Sequence, residues 1–209
     1  MDKGSHIIKR YSQEKPDENL SCASNVEHAR LEPGQCVLDI GCGLGKEVIK
    51  FAQQVGPSGM AFGIDITPNL IKEAQKNVQK NNIDNVQFGY ADMENLTFQD
   101  NMFDKVFSNC VINHASDKLK VFQEIFRVLK AGGEIVISDA VSQEPLPAEV
   151  KNDPEAWAQC FGGAVTYLEY QQILLKIGFT NIKVLKKRDY LKEGYAFSSI
   201  TFTAVKNNH

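Results

Sequence analysis

Leu38 to Gly45 read LDIGCGLG, and this octapeptide decides the fold. The apolar run CVLDIG, Cys36 to Gly41, enters a loop with glycine at alternate positions, Gly41, Gly43 and Gly45. Such a run is a buried strand, and the glycines permit a tight turn and close approach of the backbone to a ligand. The spacing is G-x-G-x-G. It is not the G-x-G-x-x-G dinucleotide fingerprint, which disfavours a nicotinamide cofactor. Beyond Gly45 the pattern turns helical, with Val48, Ile49 and Ala52 on one face.

Working outward, strands and helices alternate. MAFGID (60–65), VQFGYAD (86–92), FDKVFSNCVI (103–112) and GEIVISDA (133–140) read as further strands. Thr67 suits an N-cap and Pro68 a first helical position, and Leu70, Ile71, Ala74 and Val78 share a face. A helix burying Phe122, Ile125, Phe126 and Leu129 is expected to end at Gly132-Gly133. TYLE (166–169) has the form of a capping box, opening a helix that ends near Gly178. NIKVLKKRDY and SSITFTAVK read as a closing antiparallel pair. The expected fold is α/β: a doubly wound, mostly parallel seven-stranded sheet with an antiparallel final pair. Ligands in such folds sit beyond the carboxyl ends of the strands. Two regions break the pattern. Residues 1–30 are polar and weakly periodic, an N-terminal segment or lid. Residues 142–165, with three prolines and a glycine pair, read as a substrate-side lid inserted into the domain at 31–209.

Composition narrows the function classes. At 209 residues, 43% hydrophobic and 23% charged, the chain suits one soluble domain. A net charge of -3 argues against nucleic acid as a partner. No apolar run reaches the ~20 residues of a membrane span, and the N-terminus lacks a signal-peptide core, so a cytoplasmic location is expected. The five cysteines are odd in number and none form a CxxC pair, which fits thiols better than a disulfide scaffold or zinc ribbon.

Acids punctuate the strands. Asp39 precedes the glycines. Asp65 ends the second strand, where it can accept from ribose hydroxyls. Asp92 ends the third, where it can accept from an adenine amino group. With the glycine pair before the fifth strand, this ordered set resembles the class I S-adenosylmethionine-dependent methyltransferases, from about Leu31 to Val205. By this resemblance Asp39 and the backbone of Gly41 and Gly43 hold the methionine part of S-adenosylmethionine. Asp65, with Ile66 beside it, holds the ribose, Asp92 and Met93 frame the adenine, and Asn109 contacts the cofactor from the fourth strand. Tyr11, in IIKRY, matches a tyrosine that covers the cofactor; plain packing is the alternative.

The cysteines sharpen the resemblance. FSNCVINHASDKLKVFQEIFRVLKAGGEIVISDAV, PLPAEV and WAQCFGGA are similar to arsenite methyltransferases. Cys110 follows S-N on the fourth strand, Cys160 sits in C-x-x-G-A, and Cys22 in LSCASN lies ahead of the glycine loop. The resemblance makes these three the catalytic ligands of arsenic(III), which is substrate and not a resident metal. It also implies a thiol reductant of glutathione or thioredoxin type. The chemistry is coherent, since arsenic(III) is soft and prefers thiolates. Three sulfurs leave its lone pair outward, so attack on a sulfonium methyl needs no general base. Cys36 reads as core and Cys42 as part of the turn. His114, before a Ser116 cap, reads as a surface residue or as a partner for substrate oxygen. Two other functions remain: methylation of a small organic acceptor such as a quinone precursor or thiol, and metalloid binding without turnover.

Overall fold

The computed structural model describes residues 8, 10, 11 and 24–207. Within them one sheet contains β1 (Cys36–Ile40), β2 (Met60–Asp65), β3 (Val86–Tyr90), β4 (Phe103–Asn109), β5 (Leu129–Ser142), β6 (Phe179–Lys192) and β7 (Tyr195–Lys206). Their order is β3-β2-β1-β4-β5-β7-β6. The first five strands pair in parallel, and β7 runs antiparallel to both β5 and β6. The doubly wound sheet with an antiparallel closing pair is the expected one. The order reverses between β1 and β4, which places a crevice at their carboxyl ends.

Helices α1 (Lys46–Val55), α2 (Pro68–Lys80), α3 (Lys118–Val128), α4 (Ala148–Asn152), α5 (Pro154–Ala158) and α6 (Tyr167–Ile177) follow in chain order. Alternate strand residues face two different cores, as the pleat requires. Leu38, Val106, Ile135 and Ile137 pack with Phe122, Ile125 and Tyr170. Val37, Phe107 and Val136 pack with Val48, Phe51 and Ala52 on the other side. There Phe51 stacks on Phe107 with ring centroids 4.2 Å apart. A third, smaller core of Leu146, Val150, Ala156, Phe161, Ala164 and Phe197 lies under residues 142–165. That segment is therefore a packed subdomain edge and not a bare loop.

Local expectations are met where side chains act on their own backbone. Thr166 and Glu169 form both halves of the capping box, and Gly178 ends α6 in the left-handed conformation. Several boundaries differ; β3, for one, stops at Tyr90, two residues short of Asp92. β4 stops at Asn109, because Cys110 turns into the left-handed region at φ 58°. α3 is capped by Asp117, which accepts from Lys120 N–H, and not by Ser116. It also ends at Val128, before the glycine pair, because Leu129 already pairs with Phe103 and begins β5. Gly133 then lies so close to the Lys130 and Asp104 carbonyls that a Cβ would come within 2.9 and 3.0 Å of them.

Candidate active site

The glycine loop is held by backbone. Gly41 and Cys42 N–H donate to the Ile64 carbonyl at 2.8 and 2.9 Å. Gly41 has φ 71°, and a Cβ there would lie 2.3 Å from Val111 Cγ2. Gly43 has φ 53° and faces open space. Its N–H donates to Asp65 Oδ2 at 3.0 Å, while Thr67 N–H donates to Oδ1 at 2.8 Å. Thr67 caps α2 without a side-chain bond, and Asp65 holds it in place through the Thr67 N–H. Cys42 is buried in the loop and Cys36 half-buried at the start of β1; both are packed thiols, as expected.

Carboxylates crowd this end. Burial pushes Asp39 well above the usual range, and the negative charges of Glu47 and Asp65 push it further. Burial also raises Glu47, against hydrogen bonds from Ser24 and Asn25, and raises Asp65 against those from Thr67 and Gly43. A cationic ligand in the open space beside Gly43 would relieve this repulsion. The donor set and the open cradle thus fit the sulfonium and ammonium of S-adenosylmethionine. Ile66 is half-buried after Asp65. Asp92 is exposed beyond β3, accepting Glu94 N–H at 2.9 Å, and Met93 packs against the larger core. Asn109 is half-buried at the tip of β4, level with Ser138 of β5.

The sulfur-rich end is assembled from distant segments. Cys110 and Cys160 both adopt positive φ, 58° and 64°. Of the other non-glycine residues in that region three are asparagines, which tolerate it best, and the remaining two are Arg30 and Glu193. Strain of this kind persists where surrounding structure over-determines it, and it concentrates at functional sites. Cys110 is 6% exposed, and its N–H donates to Ser138 O at 2.8 Å. It is disulfide-bonded. Cys22 also lies outside the described residues.

Cys160 Sγ lies 3.3 Å from the Cys110 carbonyl oxygen and 2.7 Å from His114 Nε2. The Tyr11 hydroxyl is 3.3 Å from the same Nε2 and 3.5 Å from the same sulfur. The described polar contacts of Tyr11 are therefore on the thiol side. His114 is not the surface residue expected. The short 3-10 turn Ile112–His114 directs it inward under α5. Burial lowers its pKa to about 4, opposed by the Trp157 backbone carbonyl, which approaches the ring without normal hydrogen-bond geometry at Nδ1. Burial raises Cys160 to about 11. Both shifts favour a neutral thiol against a neutral imidazole. At Cys160 burial outweighs the Tyr11 hydrogen bond and the charges of Arg10 and Lys192, which act to lower it.

Two supporting networks were not read from sequence. Asn113 N–H and Nδ2 donate to Asp139 at 3.2 and 2.9 Å, and Nδ2 also reaches the Ala140 and Cys160 carbonyls. Tyr170 OH donates to Asp139 Oδ2 at 3.2 Å. Asp139 is pushed up to about 6 by burial, against these donors and the charge of Lys118. Gly163 packs on the same turn; a Cβ there would meet Asn113 O at 2.0 Å, which explains the glycine after C-F-G. In the second network, Asn25 Nδ2 donates to Ser108 O, its Oδ1 accepts from Ser138 Oγ, and its N–H donates to Glu47. An acid in the apolar strand GEIVISDA was the available signal for the first. Nothing local marks the second.

Residues 31–188 match a family described as a methyltransferase domain, and the chain belongs to that family. It is 38% identical over 171 residues to an arsenite methyltransferase of Halobacterium salinarum, covering 82% of this chain and 44% of that protein. CrArsM, an arsenic (III) S-adenosylmethionine methyltransferase from Chlamydomonas reinhardtii, has a similar structure. The TM-score is 0.80 at 26% identity, covering 97% of this chain and 74% of that one. A demethylmenaquinone methyltransferase of Listeria welshimeri is 31% identical over 139 residues, covering 66% of this chain and 55% of that protein. The chain spans less than half the length of the arsenite methyltransferases it matches (44%, 47% and 43%). No helix among the described residues is long and apolar enough to cross a membrane.

Proposed function

We propose that the chain transfers a methyl group from S-adenosylmethionine to trivalent arsenic held by cysteine sulfurs, as arsenite or a methylated arsenical. One observation carries the reading. Two cysteines fifty residues apart in sequence, both in the left-handed conformation, meet where Cys160 Sγ contacts the Cys110 carbonyl, and Val111, next to Cys110, lies against Gly41 of the glycine loop. Cys110 and Cys160 are two ligands, and Cys22 is the third candidate.

S-adenosylmethionine, when bound, supplies an electrophilic methyl on a sulfonium. The chain binds and orients. Asp39 and Glu47 favour the cationic methionine part, Gly41 and Gly43 leave it room, and Asp65 with Ile66 takes the ribose. Asp92 and Met93 frame the adenine, with Asn109 and Tyr11 between the two halves. Cys110 and Cys160 fix arsenic so that its lone pair points away from the sulfurs. That lone pair carries no proton, so no side chain has to act as base. Residues 1–30 and 142–165 exclude water from the substrate side.

Cys110 must first be reduced. Two thiols of glutathione or a thioredoxin-type protein cleave its disulfide by exchange, becoming oxidised by two electrons themselves. Arsenical binding then displaces the proton that Cys160 retains at neutral pH.

The test is incubation with S-adenosylmethionine, arsenite and excess thiol, followed by mass spectrometry of arsenic species. The parent is expected to yield methylated arsenic. Cys110→Ser and Cys160→Ser are expected to yield none while binding S-adenosylmethionine unchanged. Full activity in Cys110→Ser rejects the reading. The second reading, methylation of a small organic acceptor, draws on the likeness to the demethylmenaquinone methyltransferase and on the neutral His114, which could act there as general base.

A further inference from the structure

Cys160 Sγ, His114 Nε2 and the Tyr11 hydroxyl form a triangle with sides of 2.7, 3.3 and 3.5 Å. With the ring proton on Nδ1, toward the Trp157 carbonyl, Nε2 is an acceptor, and the Cys160 S–H is its donor. An arsenical bound at Cys160 removes that hydrogen, because sulfur binds as thiolate. Nε2 then loses its nearest donor and keeps only the Tyr11 hydroxyl, 3.3 Å away, which cannot serve both Nε2 and a newly bound oxygen with its single proton. The group that can replace S–H lies one bond beyond arsenic: a hydroxyl that arsenic still carries. Its O–H can donate to Nε2, and its oxygen can accept from Tyr11. A methyl or phenyl substituent can do neither.

We propose that His114 Nε2 and the Tyr11 hydroxyl form an oxygen subsite beside Cys160, which takes the last hydroxyl of arsenite after Cys110 and Cys160 have each displaced one. This rests on the arsenic reading above and adds a specificity determinant to it. Each displacement breaks an As–O bond and forms an As–S bond, and the thiol proton leaves with the hydroxide as water. Arsenic stays trivalent throughout. Cys22, as third ligand, would release the last hydroxyl as a further water, so Cys22→Ser arrests binding at two sulfurs and one oxygen.

The experiment uses reduced Cys22→Ser protein and two probes, arsenite and phenylarsine oxide, with bound arsenic measured after equilibrium dialysis. Phenylarsine oxide spends both of its exchangeable oxygen positions on Cys110 and Cys160 and presents only phenyl to the subsite. Adding His114→Leu is expected to weaken arsenite about tenfold and to leave phenylarsine oxide within about twofold. Tyr11→Phe removes one hydroxyl only and is expected to weaken arsenite selectively by about threefold, which covers the case of a poorly folded His114→Leu. Equal losses for both probes, or no loss for either, overturn the subsite. Binding of neither probe before His114 is touched rejects the arsenic reading itself, and the subsite with it.

Discussion

The two halves of the crevice are built by different means. Around Asp39, Gly41, Gly43 and Asp65, the ends of two adjacent strands, β1 and β2, make the site, and its polar groups are largely backbone N–H. Around Cys160, side chains from three separate segments converge, joined by bonds spanning 46 to 149 residues. A backbone site fails when a Cβ intrudes. A side-chain site fails when a polar neighbour is lost. Substitutions that separate these modes test the contrast.

The largest effect is expected at Gly41. Alanine there must hold φ 71° and push its Cβ to 2.3 Å from Val111. Left-handed strain and overpacking together should cost ~3 kcal/mol in urea unfolding. Val111 directly follows Cys110, so the intrusion should also disturb the sulfur side. A loss below about 1 kcal/mol would mean that the loop relaxes freely, against the reading of a backbone-held site.

Next is Asp139→Asn. Asp139 accepts from Asn113 N–H, Asn113 Nδ2, Ala140 N–H and Tyr170 OH, all buried. An amide nitrogen would face at least one of those donors. The expected loss is ~2–3 kcal/mol, with faster hydrogen exchange across residues 158–164, since Asn113 also bonds the Cys160 carbonyl. Unchanged exchange there would detach this network from the Cys160 loop.

The same contrast governs what sequence reveals. The glycine loop, the acids at the strand ends and the Thr166–Glu169 box were legible, because each depends on residues a few positions apart. The meeting of Cys110 with Cys160 was reached only through a family resemblance; spacing alone leaves cysteines as core filler. Of the two readings of His114, the surface one fails because a 3-10 turn after β4, not helical periodicity, sets its direction. The end of α3 was misjudged because tertiary pairing of Leu129 with Phe103 overrode a glycine stop. Asn25 has no local signature, since its partners Ser108 and Ser138 are brought together by strand order alone.

A smaller effect is expected from acid. His114 sits at about 4 in the fold against an ordinary 6.5, so the unfolded chain takes up its proton first as pH falls. Its contribution is full above 6.5 and is lost as pH drops toward 4. Asp139, raised to about 6, acts oppositely, because protonation relieves its burial. Comparing parent with His114→Leu cancels that second effect. Between about pH 7 and about pH 5 the parent should lose ~2 kcal/mol relative to the variant. A flat difference would mean that His114 is solvated after all, and the sulfur side open to water.

The smallest stability effect is expected at Gly43, and it carries the sharpest functional contrast. Like Gly41 it has positive φ, 53°, but a Cβ there meets nothing within 4 Å. Alanine should cost only the left-handed strain, ~1 kcal/mol, and should keep the bond from its N–H to Asp65. If the open space is the berth of the methionine part, the added methyl group enters it, and S-adenosylmethionine affinity by calorimetry should fall more than tenfold, beyond what ~1 kcal/mol explains. Gly41→Ala would then be mainly a folding defect and Gly43→Ala mainly a binding defect, two glycines of one loop separated by what each Cβ meets. Affinity falling no further than stability would place the cofactor elsewhere along the carboxyl edge.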